Sequence, residues 1–308
     1  MTTHPHAHDH ASRRAGEARA LGLVLGLTVL LAVGELIGGL IGGSLALLAD
    51  AGHMLSDVGS LALALGALWL AARPPTARLS FGFRRAEILA ALLNGVALVA
   101  IAIWIFVEAA QRLSDPPEIL AGVTLAVALA GLAVNVLGVV ILRRSGGRSL
   151  NMRAALRHVV ADLLGSVGVI VAALVILATG WLYADPLVSV LIGVLVLASS
   201  WRVLRESLGV LLEAAPEGID ADAVGRRMAA VEGVSEVHDL HIWTITSGFP
   251  ALSAHVLVPE GEDCHARRRE LSEMLRRDFG IAHTTLQVEH GETLGTPVRV
   301  RLSERRPT

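Results

Sequence analysis

Six apolar stretches, at about residues 20 to 41, 45 to 71, 86 to 110, 119 to 142, 155 to 179 and 186 to 204, dictate what this chain can fold into. Each is long enough for a helix to cross a hydrocarbon layer about 30 Å thick, which takes roughly 20 residues. Inside lipid every backbone N–H and C=O must find a partner within the protein, so runs of this kind fold as helices. With 53% hydrophobic residues, only 18% charged residues and a mean hydropathy of +0.61, the chain is too apolar for an ordinary soluble domain. The expectation is an α-helical membrane protein with a six-helix transmembrane domain over residues 20–207.

Arginine sets the orientation, because the chain has no lysine. Arg13, Arg14 and Arg19 precede the first run; Arg73, Arg78, Arg84 and Arg85 lie between the second and third; Arg143, Arg144, Arg148 and Arg153 lie between the fourth and fifth; Arg202 and Arg205 end the sixth. The opposite connections hold only Arg112. The positive-inside rule then predicts both termini in the cytoplasm, and an even number of spans agrees. The expected location is the cell (inner) membrane. The head, residues 1–19, is polar and contains histidine; without a small-residue cleavage pattern, the first run reads as a retained helix. Cys264 is the single cysteine, which excludes an internal disulfide and fits a reducing compartment.

Past Glu213 acids and arginines return and the apolar runs shorten. Residues 212–292 are expected to form a small cytoplasmic α+β domain of order αββαβ: a helix over 219–231, strands over 234–246 and 251–258 around a turn at Ser247-Gly248-Phe249-Pro250, a helix over 263–279 and a strand over 283–290. Such a domain is an open-faced sandwich with its helices on one side of a sheet. Its size is near the lower limit for independent stability, so self-association through it is expected. The tail 293–308, with Pro297, Pro307 and scattered arginines, is expected to be disordered.

Two apolar runs carry the same polar pattern, His53-x-x-x-Asp57 and His158-x-x-x-Asp162. Residues i and i+4 share a helix face, so each pair is a clip aiming an imidazole nitrogen and a carboxylate at one point. Two facing clips supply two nitrogens and two oxygens, a set that suits a tetrahedral divalent ion, zinc above all. One such residue can be a helix-packing hydrogen-bond partner. Two equally spaced pairs argue for function, because ionisable groups are costly in hydrocarbon. Histidine titrates near neutrality and must be neutral to ligate, so metal and protons compete for such a site.

The remaining polar residues of the runs have blander readings. Asp50 is read as a cap on the outer turn of the second helix, and Glu35, Asn94 and Asn135 as helix-packing groups. Glu87 is expected to pair with Arg84 and Arg85, and Glu108 to form a structural ion pair. His4, His6, His8 and His10 stand between two readings, metal capture and an unselected polar head. In the soluble segment His238, His241, His255, His265, His283, Gln287, Glu289 and His290 are the metal-ligand candidates, with His238 and His255 on adjacent predicted strands.

The strings Leu48-Ala-Asp-Ala-Gly-His-Met-Leu-Ser-Asp57, Phe81-Gly-Phe-Arg-Arg-Ala-Glu-Ile-Leu-Ala-Ala-Leu-Leu-Asn-Gly95 and Val237-His-Asp-Leu-His-Ile-Trp243, together with the second clip, resemble the signatures of the cation diffusion facilitator family over nearly the whole chain. The resemblance implies a homodimer with six helices per protomer and a ferredoxin-like, metallochaperone-like cytoplasmic domain. It implies export of zinc, with cadmium or cobalt as further substrates, in exchange for protons. It assigns the transport site to His53, Asp57, His158 and Asp162, and the histidines mark a zinc-type member, whereas Asp in their place tends toward manganese. It makes His238, His255, His265 and Glu289 ligands of a cytoplasmic zinc site that senses the metal. Gln287 departs from members with histidine there. The connection Arg73-Pro-Pro-Thr-Ala-Arg-Leu-Ser80 lacks the histidines that many members carry.

Other classes fit less well. A membrane metalloenzyme needs an open metal position and a general base, but four protein ligands close the site, and neither His-Glu-x-x-His nor Gly-x-Ser-x-Gly occurs. The chain is therefore expected not to be an enzyme. A metal receptor would be expected to carry a signalling or DNA-binding output. Nucleic-acid binding is not expected, since acids outnumber arginines in the soluble segment.

Overall fold

The computed structural model describes the backbone of residues 6–144, 150–291 and 300–301, with side chains over 19–67, 69–144 and 155–291. It contains six long helices: α1 (His6–Gly42), α2 (Leu45–Ala71), α3 (Ala86–Ser114), α4 (Ala121–Arg144), α5 (Leu150–Thr179) and α6 (Ala184–Leu211). Each holds a stretch long and apolar enough to cross a membrane, so the six-span expectation stands. There follow α7 (Ala221–Ala229), β1 (Glu236–Thr246), β2 (Phe249–Val258), α8 (Cys264–Phe279), β3 (His283–His290) and β4 (Val300–Arg301). This is the αββαβ order with a two-residue strand added inside the segment expected to be disordered. The rest of 293–308, His4, and the side chains of His6, His8 and His10 lie outside the described residues.

Two compact units form, residues 1–62 with 93–202, and residues 63–92 with 203–308. In the first, α4 turns a stripe of Ala121, Thr124, Ala128, Gly131, Asn135, Gly138 and Leu142 inward. Small residues at helical spacing let neighbouring backbones approach closely, the usual way helices associate without a hydrophobic driving force between them. Val24 and Leu31 of α1 and Val159 and Ser166 of α5 fill the space that side chains at Gly131 and Gly138 would take. Ala46, Leu47 and Ala49 of α2 join Leu98, Ile105, Ala128, Val169, Ile192 and Val196 in a buried cluster that reaches α3, α4, α5 and α6. Between α1 and α2, Gly43 sits at φ +69°, where a side chain would be strained. Ser44 then caps α2, its Oγ accepting from Leu47 N at 3.3 Å.

In the second unit the sheet order is β3-β2-β1-β4. β1 and β2 form an antiparallel hairpin, while β3 and β4 pair parallel to β2 and β1. One sheet face buries Val237, Ile242, Leu252, Val256 and Val258 against Val224 and Met228 of α7 and Leu271, Met274 and Leu275 of α8. Asp263 caps α8 by accepting from the backbone N–H of His265 and Ala266. Gly280 at φ +70° ends it, with Gly280 N donating to Arg276 O and Ile281 N to Leu275 O.

The α2–α3 connection belongs to this second unit. Arg85 Nη2 lies 3.2 Å from Glu213 Oε1, the Arg84 guanidinium sits 4.6 Å above the Phe249 ring, and Thr246 Oγ1 donates to Glu87 Oε2 at 3.0 Å. The expected pairing of Glu87 with Arg84 and Arg85 is therefore replaced. Both arginines turn toward partners far away in the chain, and a hydroxyl satisfies Glu87. Glu108 does form its ion pair, 3.0 Å from Arg112 one turn later on α3.

Candidate metal centre

α2 presents His53 and Asp57 on one face, and α5 presents His158 and Asp162. Each pair spans one helical turn, so its two side chains share one helix face, and His53, Asp57, His158 and Asp162 all lie in the first unit. Asp57 Oδ2 lies 3.5 Å from His53 Nε2 and 3.3 Å from His158 Nε2. Asp162 Oδ2 lies 3.6 Å from His158 Nε2. Ligand atoms of His53, His158 and Asp162 all fall within 4.8 Å of one another, and they form the one such group of three among the described residues. The imidazole centroids are 6.1 Å apart and the rings are inclined at 63°, so the histidines flank the carboxylates instead of stacking.

The donors are not used up on each other. His53 Nδ1, Asp57 Oδ2 and both Asp162 carboxylate oxygens are buried without a hydrogen-bond partner. Unpaired buried acceptors are costly, and a cation placed among them removes the cost. The Asp162 side chain is only 1% exposed, whereas His158 is 39% exposed, which gives the group one closed and one open side. Two imidazole nitrogens and one Asp162 oxygen form a three-donor group from which Asp57 is absent, and Asp57, near both imidazoles, is the fourth donor that would close a four-coordinate site.

One supporting residue was not singled out in the sequence. Asp185, at the start of α6 and 1% exposed, accepts from Ser44 Oγ at 2.5 Å and from the backbone N–H groups of Leu45 at 2.8 Å and Ala46 at 3.3 Å. Arg112 Nη1 stands 3.7 Å from its Oδ2 and donates to Gly43 O at 2.6 Å. This carboxylate satisfies orphan donors at the N-terminus of α2 and complements the helix dipole, tying the ligand-bearing helix to α6 and α3. Asp50, expected as the cap of α2, is displaced from that role by Ser44 and Asp185. It lies more than a turn inside the helix and is 3% exposed. The available signal was Asp185-Pro186, an acid next to a proline where an apolar run begins.

Residues 21–212 match the family model for the cation efflux transmembrane domain, and residues 216–291 match that for the cation efflux protein, cytoplasmic domain. The chain belongs to the cation efflux family. Relatives of this cation efflux chain include the cadmium, cobalt and zinc/H(+)-K(+) antiporter of Bacillus subtilis (strain 168), 44% identical over 253 residues that cover 80% of each protein. The zinc transporter ZitB of Escherichia coli (strain K12) is 44% identical over 249 residues, 80% of this chain and 79% of its own. The metal cation efflux system protein CzcD of Cupriavidus metallidurans is 43% identical over 251 residues, covering 80% and 78%. The resemblance carried by the clips and the other signature strings is thus confirmed at the level of the family.

In the cytoplasmic domain of the cation efflux chain, the four expected ligands fall into two places. His238 and His255 are direct cross-strand partners with rings stacked 5.3 Å apart at 28°. Glu289 pairs beside Leu257 on β3, next but one to Gln287, which pairs with His255. These residues share the open sheet face, where the Gln287 amide donates to Glu289. His265 instead sits exposed on the first turn of α8, in the helical layer. Beside it Cys264 Sγ approaches His290 Nε2 at 3.4 Å, and that nitrogen lies 3.0 Å from Glu262 O. The sheet bulges between His238 and His241, with Asp239 at φ 50° and its Oδ1 3.0 Å from His241 Nε2.

Proposed function

We propose that this cation efflux chain exports zinc from the cytoplasm in exchange for protons, carrying the ion in a site made by His53, Asp57, His158 and Asp162. The observation behind this reading is the convergence of His53 of one membrane-spanning helix with His158 and Asp162 of another, with buried unpaired donor atoms among them and Asp57 within 3.5 Å of both imidazoles. Neutral imidazoles bind the ion and protonated ones release it, so a proton gradient supplies the driving force. Helices that rock about a fixed site would expose the clips alternately to the two sides. The names of two of the relatives support zinc, one of them adding cadmium and cobalt, and borderline-soft imidazole donors favour the same ions over manganese. Membership of an efflux family sets the metalloenzyme reading aside.

In this reading the protein is a multi-pass protein of the inner membrane with both termini cytoplasmic, functioning as a homodimer. The arginine-rich α2–α3 connection and the soluble domain share one compact unit, which supports one side for both and agrees with the positive-inside rule. His238 and His255, with His265 and Glu289, would form the cytoplasmic zinc site. The transmembrane domain is proposed over 20–207 and the cytoplasmic domain over 212–292.

The test is transport by the purified full chain in sealed vesicles holding a zinc dye and a pH dye. Zinc moving one way while protons move the other, with both movements lost in Asp57→Ala and Asp162→Ala, is the expected result. Zinc flux that persists in either variant would remove the clips from the pathway.

A further inference from the structure

The clips leave two buried acids unexplained. Glu35 of α1 is 1% exposed and neither carboxylate oxygen has a hydrogen-bond partner. Asp50 of α2 is 3% exposed, and its Oδ2 is equally unpartnered. Isolated carboxylates in such surroundings cost several kcal/mol each unless a proton or another cation joins them. Among the described residues no arginine or histidine supplies it to either side chain.

Two glycines let these acids pack closely against α4 and α5. A Cβ on Gly131 of α4 would stand 2.7 Å from Glu35 Oε1 and 3.6 Å from Ser166 Oγ of α5, so the missing side chain leaves room for the carboxylate and the hydroxyl on one spot. A Cβ on Gly165 of α5 would stand 3.0 Å from Asp50 Oδ1. Asn135, also buried on α4, donates to Ser166 Oγ at 3.2 Å, which fixes that hydroxyl and leaves the amide oxygen free as an acceptor. Gly165 and Ser166 follow the clip ligand Asp162 by about one turn of α5, and His53 follows Asp50 by about one turn of α2.

We propose that Glu35 and Asp50, with Ser166 and Asn135, form a second, all-oxygen cation chamber beside the clips, and that it holds one monovalent cation exchanged for the metal in addition to protons taken up at the clip imidazoles. The inference rests on the antiport reading above and adds, beside the clip imidazoles, a second place for a counter-ion. Carboxylate, hydroxyl and amide oxygens are hard donors suited to a proton or an alkali ion, while the imidazoles keep the softer divalent ion at the clips. The charges divide the same way. Asp57 and Asp162 neutralise one divalent ion, and Glu35 and Asp50 remain for monovalent ones. A metal ion arriving beside Asp162 repels cations from the chamber, and its departure readmits them. Coupling of this kind is reciprocal: a filled chamber weakens metal binding by the same factor.

The experiment uses the full chain in vesicles clamped at zero membrane potential. The equilibrium zinc ratio is followed as either the proton ratio or the potassium ratio is varied. Wild type gives a slope equal to the number of counter-ions per zinc. Glu35→Gln, which keeps the shape and removes the charge, is expected to lower that slope by one for the cation that fills the chamber, while detergent-purified protein still binds wild-type amounts of zinc. The gradient whose slope falls identifies a proton or a potassium ion. Asp50→Asn provides an independent second variant with the same expectation. Unchanged slopes in both variants, or loss of zinc binding together with transport, would overturn the chamber. A wild type whose zinc ratio follows neither gradient would remove the antiport reading as well, so the two failures are distinguishable.

Discussion

At the scale of single residues, the softness of the clip donors sets which ions are accepted. Replacing both imidazoles, in His53→Asp with His158→Asp, leaves an all-carboxylate site that favours harder ions. The expected outcome is a rise in manganese binding relative to zinc, read by competition on the purified chain. Removing a donor outright is more severe. Asp162→Ala should weaken zinc by more than about 100-fold, the upper end for loss of a mere outer-shell partner. An isothermal titration of the full chain measures it. The meeting of His53 with His158 and Asp162 was legible in the sequence because i, i+4 spacing survives folding unchanged. The partners of Glu87, Arg84 and Arg85 were not, because Glu213, Thr246 and Phe249 come from distant parts of the chain.

Individual elements hold those donors in register, and here the N-terminus of α2 matters most. Asp185→Ala removes the acceptor of three donors and leaves Arg112 short of its counter-charge, so a loss of about 3 kcal/mol is expected, as for other broken buried pairs. The check is a lower thermal midpoint for the full chain, together with weaker zinc binding, because α2 carries half of the clips. Gly131→Ala drives a methyl group toward the Glu35 carboxylate and Leu31, and overpacking of this kind costs about 1–3 kcal/mol; the same midpoint records it. In α8 the Asp263 carboxyl is held below the usual range, first by the Ala266 N–H, with the His265 N–H adding to it and partial desolvation opposing. Its charged cap is therefore fully present above the ordinary carboxylate range and is lost as the pH falls through its depressed value. Asp263→Asn should flatten that acid limb in a pH series of melting curves. Periodicity located the short helices and the strands to within a few residues, but α1 begins at His6, fourteen residues before its apolar run, and α6 continues to Leu211, seven residues past its own. Periodicity could not show that a carboxylate from α6 would cap α2, since nothing local in either segment records the meeting.

For the whole molecule, composition and arginine placement already specified six spans and a soluble αββαβ domain, and the family match agrees. What the sequence could not supply is how the cytoplasmic ligand candidates divide between layers. His238, His255 and Glu289 share the open sheet face while His265 belongs to α8, a separation created by sheet pairing and by the core beneath it. A second zinc in the full chain should therefore depend on His238 and His255. The double variant His238→Ala with His255→Ala is expected to bind less zinc while its clips remain loaded, as a count of bound metal would show. With that site removed, the central claim can be tested by X-ray absorption at the zinc edge on the zinc-loaded full-length double variant. Four light scatterers at about 2.0–2.2 Å, with imidazole features from two histidines, no sulfur, and loss of the signal on adding Asp162→Ala, are the predicted result. A sulfur ligand, an octahedral all-oxygen shell, or a signal that survives Asp162→Ala would contradict it.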